Sequence, residues 1–116
     1  MLIICNGMIR SGSTLQYNIV RSLLENMKLG KGHGYFDANE YVVPERQLKQ
    51  WANDKYYHVI KMHDLHPKAE EMTKSGLVKI CYIYRDIRDV AVSANNIWSD
   101  KGEKLIESLD KAIKIY

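Results

Sequence analysis

The first twenty residues constrain the fold more than any other stretch. Leu2 to Cys5 is an unbroken apolar run, Gly7 and Gly12 bracket a loop containing Arg10, Ser11 and Ser13, and a helical pattern begins immediately afterwards. A continuous apolar run is the mark of a strand covered on both faces, which is the situation in a parallel sheet. Leu15, Ile19, Leu23 and Met27 recur every fourth residue, and Val20 and Leu24 widen the stripe, so a helix with this face buried is predicted. The opening is therefore one strand-loop-helix unit.

The rest of the chain repeats that alternation. "LGKGHGYF" breaks the first helix, and its glycines follow a helix where a dinucleotide fingerprint would follow a strand, so it reads as a mobile loop over the site. "PERQLKQWAND" reads as a short helix with proline at its first position, and "YYHVIKMH" as a second buried strand. "HPKAEEMTKSG" is a predicted helix stopped by Gly76, and "LVKICYIYR" is the plainest strand, ending at Arg85. Asp86 is a candidate N-cap, with Asp89 three residues on, for a helix striped by Val90, Ala94, Ile97 and Trp98. A last helical pattern runs from about Glu103 through Leu105, Leu109, Ala112, Ile113 and Tyr116. Alternating strands and helices predict an α/β fold of three layers around a parallel sheet, in a single domain covering residues 1–116.

Composition narrows the function classes. With 116 residues, 46% of them hydrophobic and 27% charged, the chain is of the size and character of one globular domain. No apolar run approaches the roughly 20 residues that span a bilayer, and no basic segment precedes the short apolar start, so the expected address is cytoplasmic. A net charge of +3 suits small anions and is too slight for a nucleic-acid partner. Cys5 and Cys81 fall in strand-like runs and lack metal-ligand spacing, so we expect buried thiols, no disulfide and no metal.

Gly7 to Thr14 spells G-x-x-x-x-G-S-T, a phosphate-loop pattern with serine in place of the nucleotide-hydrolysing lysine. Backbone amides and a helix N-terminus carrying about half a positive charge form an anion cradle, and Arg10 is the one cation within it. Taken singly, such residues most often make only a turn and a cap. Two glycines around an arginine, between a strand and an amphipathic helix, favour an anion site.

At this point the sequence resembles a known family. "RSGSTL" (Arg10 to Leu15) is similar to the loop that holds the 5'-phosphosulfate in sulfotransferases using 3'-phosphoadenosine 5'-phosphosulfate (PAPS). "VIKMHDLHP" is similar to that family's Lys-x-His strand end, and "YRDIRDVAVSA" to its segment for the 3'-phosphate. The resemblance implies a P-loop-like sulfotransferase fold and PAPS as co-substrate without a metal. It further implies Arg10, Ser11, Gly12, Ser13 and Thr14 as the cradle, Lys61 as the sulfate-contacting cation, His63 as the catalytic base, and Arg85 with Ser93 as the 3'-phosphate site. Leucine at position 15 departs from the aromatic residue with which many members stack on adenine. The family's later region has no counterpart, which leaves a trimmed chain, a small homodimeric member, or a nucleotide-binding module without transfer.

The residues suit these roles on their own chemistry. His63 titrates near neutrality and falls at the C-terminal end of a predicted strand, where open α/β sheets bind ligands. Lys61, two residues earlier, shares its face of the strand. Arg85 and a helix hydroxyl from Ser93 would hold a phosphate dianion. Asp64 is a candidate partner for His63, Arg88 a candidate helper to Arg85, and His58 and His66 read as structural or surface residues. The acceptor is an unknown small molecule, glycan or lipid, for which Tyr35, Phe36 and His33 are candidate contacts. A P-loop kinase using Thr14 for magnesium is the rival reading, opposed by the missing lysine.

Overall fold

The computed structural model describes residues 1–37 and 41–98, and for Trp98 the backbone alone. The elements in order are β1 (Leu2–Gly7), α1 (Ser13–Asn26), β2 (Gly30–Phe36), α2 (Glu45–Asn53), β3 (Tyr57–Met62), α3 (Ala69–Lys74), β4 (Val78–Ile83) and α4 (Ile87–Trp98). All strand pairings are parallel, in the order β2-β3-β1-β4. The α/β architecture follows from the alternation in the sequence.

Strand alternation splits the core in two. Leu2 and Ile4 of β1 join Ile60, Met62 and Val78 beneath Leu48 and Ala52 of α2 and Ala69 and Met72 of α3. Cys5 and Val59 face the other way and pack under Tyr17 of α1, with Val20 and Leu24 beside them. Helices thus cover both faces, and burying each of the larger aliphatic side chains contributes about 1.5–3 kcal/mol. The loop after β1 enters a helix on one face and the loop after β3 a helix on the other. This reversal opens a crevice at the C-terminal ends of two adjacent central strands.

The predicted loop "LGKGHGYF" is instead strand β2, on the edge of the sheet. Two residues between Gly32 and Tyr35, His33 and Gly34, stand against one, Ile60, between Val59 and Lys61, a bulge of one residue. Gly34 supplies the bulge's backbone, at φ +91°, and its N–H donates to the Tyr17 hydroxyl at 2.7 Å. The Gly32 N–H donates to Glu25 at 3.1 Å. Side chains of α1 therefore satisfy edge amides that a glycine-rich strand leaves bare, a tertiary contribution invisible to strand propensity.

The predicted buried stripe of α1 also turns out differently. Leu15, Ile19, Leu23 and Met27 are 66%, 51%, 57% and 63% exposed, while Ser13, Tyr17, Val20 and Leu24 face the sheet. A helix turns about 100° per residue, so steps of four drift by about 40° each. The spacing four-three-four of the inward set holds one side of the helix. In α4, Val90 and Ala94 are buried as expected, whereas Ile97 is exposed. β4 ends at Ile83, which places Arg85 in the following loop and not in the strand.

Asp86 caps α4 as its position suggests, its carboxylate accepting the Arg88 N–H at 2.9 Å. Cys5 and Cys81 are free thiols, and burial pushes Cys5 up to about 12. Among the described residues, no helix is long and apolar enough to cross a membrane, and no group of three or more His, Cys, Asp or Glu is placed to hold a metal ion. The predicted helix from Glu103 lies outside the described residues.

Candidate active site

The crevice gathers the loop after β1, the end of β3 and the loop from β4 into α4. Parallel pairing of β1 with both β3 and β4 makes this convergence unavoidable, since all three strands end on the same side.

The loop after β1 is a tight structure. The N–H and the hydroxyl of Ser11 both donate to the Met8 carbonyl, at 3.1 and 2.6 Å. Gly12 takes φ +98° at the N-cap of α1, a conformation that a side chain would strain. Arg10 also sits in the left-handed region, at φ 64°, a cost of about 1–2 kcal/mol for a residue with a Cβ. The first turn of α1 carries no acidic residue, so the amides of Ser13 and Thr14 and the helix dipole meet no carboxylate of that turn. Ser11 and Ser13 are buried and Thr14 is exposed.

Arg10 turns its guanidinium toward α4, where Nε donates to the Ser93 hydroxyl at 3.2 Å. Arg85 reaches the Arg10 carbonyl at 3.5 Å and Asp89 at 3.6 Å. Arg10, Arg85 and Ser93 thus form one group, with two guanidinium forks and a hydroxyl suited to a dianion. Arg88 points its fork at Asp86 instead, at 2.7 Å, and so is engaged in the helix cap.

Lys61 and His63 form a second group. His63 Nδ1 lies 2.7 Å from the Gly7 carbonyl oxygen, which can only accept, so Nδ1 carries the proton. In the neutral ring Nε2 is then the basic atom, and Lys61 Nζ lies 3.2 Å from it. Burial lowers the His63 pKa, the Gly7 hydrogen bond opposes this, Lys61 lowers it further and Asp64 raises it. Burial also lowers Lys61. The ring is oriented by a backbone carbonyl, while Asp64 acts through its charge.

One contributor escaped the sequence reading. Asn6 is 2% exposed and donates through Nδ2 to the carbonyls of Met62 at 3.0 Å and His63 at 2.8 Å, tying the end of β3 to β1. A carboxamide inside an apolar strand, just before the loop glycine, was the available signal. Tyr35, one of the candidate acceptor contacts, does reach this pair: its ring stands 5.6 Å from the His63 ring, with Lys61 Nζ 4.7 Å above it. Of the other candidate acceptor contacts, His33 stacks on Trp51 at 4.2 Å and bonds to His58 at 2.8 Å, and Phe36 packs against the core. Both belong to the interior framework and not to the crevice wall.

Compared with known families, the chain is matched by the sulfotransferase domain over residues 2–113. No curated protein and no solved structure matches it.

Proposed function

The chain belongs to the sulfotransferase domain family and so to the transferases, and from that premise we propose that it moves a sulfuryl group from PAPS to a hydroxyl or amine of a small molecule, glycan or lipid. The observation that carries this reading is the fixed tautomer of His63, whose basic Nε2 sits beside Lys61 at the mouth of an anion loop. The donor's two anionic ends suit the two groups of residues. The amides of Gly12 to Thr14 and the helix N-terminus offer donors to the 5'-phosphosulfate, and Arg10, Arg85 and Ser93 offer forks and a hydroxyl to the 3'-phosphate.

In this scheme His63 Nε2 takes the acceptor's proton as its oxygen or nitrogen bonds to sulfur. The bond from sulfur to the phosphate oxygen breaks, and adenosine 3',5'-bisphosphate leaves with that electron pair. Lys61 and the loop amides stabilise charge developing on the departing side. Positioning and electrostatics supply the catalysis, as in phosphoryl transfer.

The test is calorimetric titration of the full chain with adenosine 3',5'-bisphosphate and with ATP plus magnesium, followed by transfer from sulfur-labelled PAPS to a panel of phenols, sugars, amines and lipids. Bisphosphate binding and a labelled product support the reading. Preference for ATP would replace it with the kinase reading, and binding without any transfer would replace it with a nucleotide-binding module.

A further inference from the structure

The amine and the imidazole of the candidate site are engaged with each other. Lys61 Nζ lies 3.2 Å from His63 Nε2, the atom that has to receive a proton, and an ammonium donating there occupies the lone pair. The same ammonium lies over the face of Tyr35 at 4.7 Å, and the Tyr35 ring is tilted 60° to that of His63. Tyr35 and Lys61 are cross-strand partners in the β2–β3 ladder, a pairing set by the bulge between Gly32 and Tyr35. An aromatic face holds a cation without neutralising it.

We propose that Tyr35 is a positioning residue that seats Lys61 on the lone pair of His63, masking the base until the sulfuryl end of the donor draws the ammonium away. This rests on the sulfotransferase reading above. An ammonium meets a full opposite charge on a donor oxygen but only a neutral lone pair on the imidazole and a quadrupole on the ring, so donor oxygens outcompete both for Lys61. His63 then becomes basic only with the donor in place. Donor precedes acceptor in productive binding, and the order comes from one lysine changing partners.

Among the described residues, the groups facing His63 include Lys61 from β3, Tyr35 from β2, the Gly7 carbonyl from β1 and Asp64 from its own loop. Of these, Lys61 is the one that a donor anion would displace.

The experiment is nitrogen-15 NMR of the His63 imidazole across pH in the full-length chain, for wild type, Tyr35→Phe and Tyr35→Leu. Tyr35 is 42% exposed on an edge strand, so both substitutions leave the core intact. Tyr35→Phe keeps the aromatic face and retains the wild-type titration. Tyr35→Leu unseats the ammonium and raises the His63 pKa by about half a unit, in the direction of Lys61→Met, which removes the charge outright. Adding PAPS to wild type shifts the Nε2 resonance, and adenosine 3',5'-bisphosphate, which has no sulfuryl group, shifts it less. A His63 titration unchanged in Tyr35→Leu overturns the proposal, as do equal Nε2 shifts with the two nucleotides. A changed titration in a chain that transfers nothing from PAPS overturns the sulfotransferase reading and leaves the seat of Lys61 standing.

Discussion

His58 and His63 stand five residues apart, near the start of β3 and just past its end, and their surroundings give them opposite duties. His58 is 5% exposed, its Nε2 2.8 Å from the Asp54 carboxylate and its Nδ1 2.8 Å from His33 Nε2, with Trp51 stacked alongside. An ionised Asp54 only accepts, so His58 Nε2 donates to it and His33 donates to His58 Nδ1 when both rings are neutral. His63 has a backbone carbonyl on one side and an ammonium on the other, an arrangement that disfavours a proton on Nε2. One strand thus carries an anchor at one end and the proposed base at the other. The neighbours decide which is which.

The comparison is broken most severely by His63→Ala. Transfer from PAPS is expected to fall about 10²- to 10⁴-fold, the usual worth of a general base, with affinity for adenosine 3',5'-bisphosphate unchanged by calorimetry. If turnover survives, His63 is no more a base than His58 is. Next is Arg85→Ala, which removes a fork from the candidate phosphate group and should weaken bisphosphate binding about 10- to 100-fold, read in the same titration. His58→Ala acts in the opposite sense. Emptying that buried position should cost about 2–3 kcal/mol in urea unfolding while leaving bisphosphate affinity of the folded chain near wild type.

The smallest effects are in pH. The proposed transfer requires neutral His63, and burial holds its pKa below the ordinary 6.5, so the acid limb of kcat/KM should have its midpoint below that value. Burial, followed by the charges of His58 and Lys31, also lowers His33. Between its folded value and 6.5 the unfolded chain binds more protons than the folded one. That contribution to stability is therefore complete above pH 6.5 and lost as pH falls through the folded value, a trend that urea midpoints measured across pH would reveal.

Much of this was legible in the sequence, and the exceptions have physical causes. The β1 loop, the β3 end and the Asp86 cap are local patterns, set by glycine, alternation and a carboxylate at a helix start. β2 was missed because its amides are satisfied by Tyr17 and Glu25 of α1, contacts between segments that a local pattern cannot hold. The face of α1 was misjudged because hydrophobicity was weighed above helical drift, and Tyr17, a residue with a polar tip, turned out to be its buried anchor. Lys61 and His63 could be paired by their spacing. Their tie to Asn6 and the Gly7 carbonyl depends on the register between β1 and β3, and the approach of Tyr35 on the register between β2 and β3.

The bulge in β2 has a consequence for how such a site changes over generations. An edge strand tolerates gain or loss of a residue far better than a central one, whose ladder is fixed on both sides. The candidate anion loop and the lysine-histidine pair grow from central strands, whereas the aromatic neighbour arrives on an edge with one residue of slack. Loss of the extra residue would leave Tyr35 opposite Lys61 in a regular ladder, whereas a further gain or loss would bring a different side chain opposite Lys61 while leaving the β1 and β3 ladder as it is. Insertions and deletions in β2 are thus a cheap dial by which descendants of this chain can retune their chemistry without rebuilding it.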